Sequence, residues 1–126
     1  MPGRTSNEPE SEAQANLERL RAICLALSEV TERLSHGSPA WFVRDKKPFV
    51  HLWLDSHHQQ DFPHLWCAAF PGAQEELIEA DPDLFFRPPY VGHRGWLGIR
   101  LDRDPDWDGI GELCIEAYRV IAPATL

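Results

Sequence analysis

In Phe86-Arg87-Pro88-Pro89-Tyr90-Val91-Gly92-His93-Arg94-Gly95-Trp96-Leu97-Gly98-Ile99-Arg100-Leu101, a loop rich in proline and glycine leads into an alternating strand. Proline and glycine are typical of loops, whereas apolar residues at every second position are typical of a strand with one buried face. Residues 84–100 also hold three arginines and no acidic residue, although the whole chain carries a net charge of −8. The stretch therefore predicts one strand of a sheet and a local concentration of positive charge.

The length and composition indicate a single globular domain. The chain has 126 residues, of which 43% are hydrophobic and five are tryptophans. A chain of this size buries about two-thirds of its unfolded surface, which is enough for a core. Residues 1–12 are polar and contain two prolines, so we expect a flexible N-terminal tail followed by one domain over residues 13–126.

The three cysteines predict buried, reduced thiols. Cys24, Cys67 and Cys114 are far apart, lie among apolar neighbours and form no C-x-x-C pair. That pattern is typical of a cytoplasmic protein and argues against a zinc ribbon or a redox motif. The N-terminal residues lack the apolar run of a signal peptide, and no stretch approaches the ~20 apolar residues of a membrane span. We expect a soluble, cytoplasmic protein that does not contact membranes.

Apolar spacing along the chain predicts the element order α-β-β-β-β-α-β-β-α. Apolar residues three and four apart predict a first helix that continues to about Val30 and a closing helix that stops at Pro123. A short acidic helix is predicted over residues 73–80, between two groups of strands. Strands joined by tight turns pair antiparallel, so the predicted fold class is α+β, a two-layer domain with an antiparallel sheet and helices packed on one face.

Successive strand residues point to opposite faces of a sheet, which divides the predicted strands into two sets of side chains. One set is aliphatic and suits packing beneath helices: Val50, Leu52, Leu54, Leu65, Cys67, Ala69, Leu97, Ile99 and Leu101. The other set mixes rings with basic groups and two small residues: Phe49, His51, Trp53, His64, Trp66, Ala68, Phe70, Trp96, Gly98 and Arg100. The rings either fill gaps in the core or form a partly exposed aromatic surface around Trp53, Trp66 and Trp96.

Four motifs occur in an order and spacing that resemble the YjbR/MmcQ-like family of bacterial proteins. They are Gly37-Ser38-Pro39-Ala40-Trp41-Phe42-Val43, Lys46-Lys47-Pro48-Phe49-Val50, Pro89-Tyr90-Val91-Gly92-His93-Arg94-Gly95-Trp96-Leu97 and Ala117-Tyr118-Arg119-Val120. The resemblance covers about residues 15–123. It implies a compact domain similar to bacterial frataxin and type III secretion chaperones, and DNA binding through a double-wing arrangement of strands and loops. It implies no catalytic residues.

Basic residues fall on the hairpin and the loop that match this family. With DNA as the partner, the residues expected to contact phosphates are Arg44, Lys46, Lys47, Arg87, His93, Arg94 and Arg100. A net charge of −8 opposes such binding, which depends on neutralising phosphates. The alternative is a small anionic ligand or a protein partner, bound through the aromatic face and its His and Arg side chains. Either function is compatible with a monomer or a homodimer.

No cofactor, metal site or catalytic constellation is predicted. His51 and His64 share the aromatic face and His57-His58 lies between them, but adjacent histidines in a polar loop seldom form a defined metal site. Cys24 and Cys114 lie on apolar helix stripes, where thiols are unreactive. We therefore expect a binding protein rather than an enzyme.

Overall fold

The computed structural model describes residues 8–54 and 62–124, and its element order confirms the predicted one. Six strands and three α-helices lie within the described residues, together with one 3₁₀ helix. They are α1 (Glu8–Cys24), β1 (Val30–Ser35), β2 (Ser38–Val43), β3 (Lys47–Trp53), β4 (His64–Cys67), α2 (Ala73–Ala80), β5 (Phe85–Phe86), the 3₁₀ helix (Gly92–Arg94), β6 (Leu97–Arg100) and α3 (Trp107–Ile121).

The six strands form one sheet in the order β1-β2-β3-β4-β6-β5, and every neighbouring pair is antiparallel. The first four strands follow one another directly, as expected for strands joined by short turns. After β4 the chain passes through α2, forms the edge strand β5, and returns so that β6 lies between β4 and β5. This return brings the loop before β6 beside the middle of the sheet.

Helices α1 and α3 cover the aliphatic face of the sheet. Cys24 of α1 is hydrogen-bonded to Cys114 of α3, and Cys67 of β4 lies buried close to the same thiol. The hydrogen bond and burial raise the pKa of Cys24, and burial raises the pKa of Cys67. The thiols of Cys24 and Cys67 are therefore held in the protonated form. All three cysteines are buried and free of disulfide bonds, so the prediction of buried, reduced cysteines is confirmed.

A carboxylate at the sheet edge joins α1 to the core. Arg21 of α1 donates two hydrogen bonds to Glu32 of β1, from Nε to Oε1 at 2.8 Å and from Nη2 to Oε2 at 2.7 Å. The indole Nε1 of Trp41, whose side chain is fully buried, donates to the same Oε1 at 3.1 Å. These hydrogen bonds, first that of Arg21, lower the pKa of Glu32. One carboxylate thus satisfies a buried donor and fixes the helix against the edge strand.

A β-bulge in β3 corrects one assignment made from sequence. Trp41 pairs with Val50 and Phe42 pairs with Pro48, so Phe49 is an extra residue without a direct partner in β2. A bulge interrupts the alternation of faces. Phe49 therefore lies on the helix side, where its ring packs edge-on against Tyr118 of α3 with centroids 5.7 Å apart. The prediction that Phe49 shares the aromatic face is wrong.

The ends of the first helix also differ from expectation. Helix α1 begins at Glu8, inside the segment predicted as a tail, and ends at Cys24 rather than near Val30. Pro9 is compatible with this start because an N–H in the first turn has no intrahelical partner to lose. At the other end, Glu29 adopts a positive φ of 60° and Val30 already begins β1. Within the described residues no helix is long and apolar enough to cross a membrane.

We expect replacement of Glu32 to destabilise the fold to a degree that depends on the acceptor left behind. Glu32→Leu should lower the free energy of unfolding by about 2–3 kcal/mol at neutral pH, because the buried indole N–H loses its acceptor. Glu32→Gln keeps an acceptor for Trp41 and should cost about 1 kcal/mol. Urea denaturation of both variants measures this, and equal losses would contradict a specific role for the acceptor.

The same carboxylate should give the stability of the fold a defined acid dependence. Because folding lowers the pKa of Glu32, its ionised form contributes stability above the unfolded pKa of about 4.3. That contribution is lost as the pH falls through the lower, folded-state pKa. The difference in unfolding free energy between the wild type and Glu32→Gln should therefore shrink as the pH falls below about 4. A difference that stays constant over this range would refute the assignment.

A second variant tests the packing of β5 on β6. A Cβ on Gly98 would overlap Cε2 of Phe86, so Gly98→Ala must displace that ring. We expect a loss of about 1–3 kcal/mol in unfolding free energy. Gly111→Ala in α3 is the matched control, since its Cβ meets only the Ile23 side chain, at ordinary contact distances of 3.7 Å and 3.9 Å, and alanine favours a helix. If the two variants unfold at the same denaturant concentration, the close contact is unimportant.

Candidate functional site

Four rings from β3 and β4 form an aromatic cluster, defined as His51, Trp53, His64 and Trp66. The rings of His51 and Trp53 stack with centroids 4.1 Å apart, and those of Trp53 and Trp66 lie 4.9 Å apart. The centroid of the His64 ring lies 6.4 Å from that of Trp53 and 6.2 Å from that of Trp66. These contacts confirm that the four side chains share the face opposite α1 and α3.

The aromatic face is largely buried. Trp53 is 1% exposed, and Trp66 and Trp96 are each 5% exposed. The described residues show why: Phe86 packs its ring 5.6 Å from His64, Phe62 packs beside both, and Pro88 is fully buried. The rings therefore do not form an open surface. Most of their area stabilises the fold, as in the packing interpretation.

One part of this face remains open as a cavity of about 480 Å³, here called the aromatic cavity. Its volume falls within the ~300–1,000 Å³ of typical small-molecule sites. Three indoles form part of its wall, and the polar groups come from a hairpin turn and from the loop before β6. The lining residues are Ser35, His36, Pro48, His51, Trp53, Trp66, Tyr90, Val91, Arg94 and Trp96.

The β1–β2 turn brings His36 to the cavity. His36 and Gly37 adopt φ values of 54° and 81° between the paired residues Ser35 and Ser38. Two central residues with positive φ are typical of the type I′ turn that suits a two-residue hairpin. Behind the turn, His51 Nε2 donates to the main-chain carbonyl oxygen of Ser35 at 3.0 Å, because a carbonyl oxygen can only accept. This bond anchors the hairpin to the aromatic cluster.

The loop before β6 supplies the basic group of the cavity. The 3₁₀ helix ends at Gly95, whose φ of 87° favours glycine, and the chain then turns into Trp96. The guanidinium carbon of Arg94 lies 5.9 Å from the centre of the Trp96 ring. Within residues 8–54 and 62–124, no carboxylate forms an ion pair with Arg94. Its charge is therefore available at the cavity among the described groups.

Tyr90 stands at the same loop in an uncommon conformation. Its φ is 67° and 74% of the residue is exposed, although it lines the cavity. A bulky side chain seldom adopts positive φ, and residues held this way cluster at functional sites. The preceding prolines, Pro88 and Pro89, restrict the backbone on that side of the loop.

Gln74 of α2 holds the loop in place, and sequence reasoning missed it. Its Nε2 donates to the main-chain oxygens of Gly92 at 2.9 Å and Trp96 at 2.6 Å, and the residue is only 3% exposed. Arg87 donates to Gln74 Oε1 at 3.4 Å and lies across Gly92, where a Cβ would be 2.7 Å from its Cγ. Arg87 therefore braces the loop. In the sequence, Gln74 lies in a short acidic helix, and nothing in that pattern indicates a buried hydrogen-bonding role.

The seven predicted anion-binding residues do not lie together in the structure. Arg94 lines the aromatic cavity, and His93 is exposed beside it on the 3₁₀ helix. Arg44, Lys46 and Lys47 instead line a separate cavity of about 270 Å³ that also includes Ile121 and Pro123 at the end of α3.

Two of the predicted arginines are already engaged by acids. Arg44 Nε lies 2.7 Å from Glu29 Oε1. Arg100 forms two hydrogen bonds with Asp102, from Nε to Oδ1 at 2.9 Å and from Nη2 to Oδ2 at 2.8 Å, and these lower the pKa of Asp102. The guanidinium of Arg100 also lies 3.7 Å from the centre of the Phe62 ring.

The histidines do not suggest a metal centre. Across the described ranges 8–54 and 62–124, no group of three His, Cys, Asp or Glu side chains is arranged to hold a metal ion. His57 and His58 lie outside those residues. His51 instead serves as a ring in the aromatic cluster and as a donor to the hairpin.

Replacement of Gln74 should loosen the loop that carries Arg94. Gln74→Leu leaves two carbonyl oxygens without their donor, and we expect a loss of about 1–3 kcal/mol in unfolding free energy. Gln14→Leu, at an exposed position of α1, is the matched control and should change stability by less than about 0.5 kcal/mol. Amide hydrogen exchange should show faster exchange at residues 92–96 in the Gln74 variant. Unchanged exchange there would contradict the positioning role.

Known proteins share this fold. The crystal structure of protein DR2400 from Deinococcus radiodurans, described by its DUF419 domain, is similar to this chain with a TM-score of 0.71, 18% sequence identity, and coverage of 87% of this chain and 80% of that chain. At this identity the likeness concerns the fold alone. No curated protein matches the chain. The family model described as YjbR matches residues 25–120, and the protein belongs to the YjbR family.

Proposed function

We propose that the protein binds a small organic anion in the aromatic cavity. The observation that carries this proposal is Arg94, a guanidinium on the wall of a cavity of about 480 Å³, with no acidic partner among the described residues. A largely apolar concave site with a few polar groups is the usual form of a small-molecule site. A carboxylate or phosphate is the natural partner of a guanidinium, because its paired oxygens match the paired N–H groups.

The wall of the cavity supports the same ligand class. Indoles contribute apolar area, while His36 on the hairpin turn offers a hydrogen-bonding group at the edge of the cavity. Arg94 lies on a loop that Gln74 holds through hydrogen bonds to the main-chain oxygens of Gly92 and Trp96. A binding group that is already positioned loses less conformational entropy when the ligand arrives.

DNA binding, the function implied by family resemblance, is a second candidate. The exposed hairpin bearing Lys46 and Lys47 favours it, since no acid pairs with either lysine among the described residues. The engagement of Arg44 by Glu29 and of Arg100 by Asp102 reduces the charge available to phosphates. The hairpin and Arg94 also line different cavities. We therefore rank the small anion first.

Arg94→Gln should weaken anion binding without weakening the fold. A charge-assisted hydrogen bond contributes about 1.5–3 kcal/mol, so affinity for 2-naphthoate should fall between about tenfold and a hundredfold. Arg119→Gln, an exposed position on α3, makes the same change of charge behind the sheet and should leave affinity unchanged. Isothermal titration calorimetry measures both constants. Equal affinities of the two variants would overturn the proposal.

Thermal-shift screening separates the two candidate functions. The small-anion function predicts stabilisation by benzoate, 2-naphthoate or citrate, and none by a ten-nucleotide thymidine strand. Stabilisation by the strand alone, lost when Lys46 and Lys47 are both replaced by Gln and weakened steeply by salt, would favour the DNA function instead.

A further inference from the structure

We propose that the ligand is a flat aromatic ring that carries one anionic group, with the ring inserted between the imidazoles of His36 and His51 and the anion bound by Arg94. This inference rests on the proposed function and specifies its ligand class. It is carried by the orientation of the rings in and beside the aromatic cavity.

A series of near-parallel planes runs along the aromatic face. The interplanar angles are 28° between His36 and His51, 29° between His51 and Trp53, and 24° between Trp53 and His64. Aromatic rings prefer offset stacking or edge contacts, so a set of aligned planes presents stacking faces in one direction. A flat ligand that enters parallel to these planes can stack on them, whereas a ligand without a flat ring cannot.

Two steps of the series, His36–His51 and Trp53–His64, are wide at 6.4 Å, but only the first has both of its rings on the cavity wall. His51 and Trp53 have their centroids 4.1 Å apart, as in a direct stack, but His36 and His51 are separated by 6.4 Å. A ring in van der Waals contact with both imidazoles needs them about 7 Å apart, because each contact takes roughly 3.5 Å. The centroid separation of 6.4 Å is about 0.6 Å shorter than this, so the hairpin turn that carries His36 must shift outward slightly for the ring to enter. Both imidazoles line the cavity, and His36 stands on a hairpin turn.

The position of Arg94 sets the extent of the ligand. In the sheet order, the β1–β2 hairpin and β6 lie on opposite sides of β3 and β4. Three strand spacings separate β2 from β6, which amounts to about 14 Å. The side chains of His36 and Arg94 span part of the ~14 Å between these backbones, and the ligand must span the remainder. A single ring with a directly attached charged group is too short for this. A fused bicyclic ring, or a ring joined to its anion by a short linker, fits this requirement.

Two sources supply this chemistry: an aromatic carboxylate, and a nucleobase joined to a phosphate as in a mononucleotide. Both offer a flat ring and paired anionic oxygens, and Arg94 suits either anion. Titration with 2-naphthoate represents the aromatic carboxylates, and titration with uridine 5′-monophosphate represents the mononucleotides. The class whose probe binds more tightly is the preferred one.

Calorimetric titration of the full chain with three matched probes tests the inference. The probes are 2-naphthoate, its saturated analogue decahydro-2-naphthoate, and the neutral 2-naphthalenemethanol. We expect 2-naphthoate to bind at least about tenfold more tightly than either decahydro-2-naphthoate or 2-naphthalenemethanol. Tryptophan fluorescence provides a second readout, because Trp53 is separated from the proposed ring position only by the stacked His51 ring.

His36→Asn removes the imidazole while keeping a residue that readily adopts the type I′ turn. It should weaken binding of the flat anion by about fivefold to tenfold and leave decahydro-2-naphthoate unaffected. Asp45→Asn is the matched control, since Asp45 has a positive φ of 57° on the other hairpin and does not line the aromatic cavity.

The outcomes separate this inference from the proposed function. If saturated and flat carboxylates bind equally well and His36→Asn changes neither, the ring inference is overturned while anion binding stands. If 2-naphthalenemethanol binds as tightly as 2-naphthoate, or if no probe binds, the proposed function is overturned together with it.

Discussion

Only one face of the sheet is covered by the long helices, and the rest of the structure depends on how the other face is buried. Alternation along β3, β4 and β6 places aliphatic side chains beneath α1 and α3. The opposite side chains must shield one another, and large rings do this well because each buries a wide apolar area. Stacking of His51 on Trp53 and of Phe86 over Gly98 closes most of that face. The cavity is the part that the rings do not fill.

The cavity depends on elements remote in sequence. Its hairpin side is anchored by the bond from His51 to the carbonyl of Ser35, and its loop side by the bonds from Gln74 to Gly92 and Trp96. Each anchor joins a buried side chain to a main-chain oxygen, so the loop geometry is set by the core rather than by the loop itself. Stability and the geometry of the cavity are therefore coupled: a change that frees these carbonyls also moves the groups that would meet the proposed ligand.

Periodic features of the sequence predicted much of the fold. The face assignments of Leu52, Trp53, Leu65 and Trp66 are right because regular strands obey a period of two, and α2 has the predicted bounds. Phe49 was misplaced because one bulge residue shifts the alternation, and no local pattern announces it. Individual side-chain contacts between residues far apart in the sequence could not be predicted either, because no local pattern indicates them. Glu29 engages Arg44 from 15 positions away and Gln74 reaches Trp96 across 22, and spacing within one segment cannot indicate such pairs.

The placement of Arg94 has a kinetic consequence. A small anion that approaches a molecule of net charge −8 meets long-range repulsion before it reaches the short-range attraction of one guanidinium. Dissolved salt screens the distant acids over about 10 Å, but affects the close contact less. Encounter should therefore become faster as ionic strength rises, the reverse of electrostatic steering by a complementary surface. A small anion bound as proposed would therefore be selected by its contact with Arg94 at the cavity wall and not by long-range attraction.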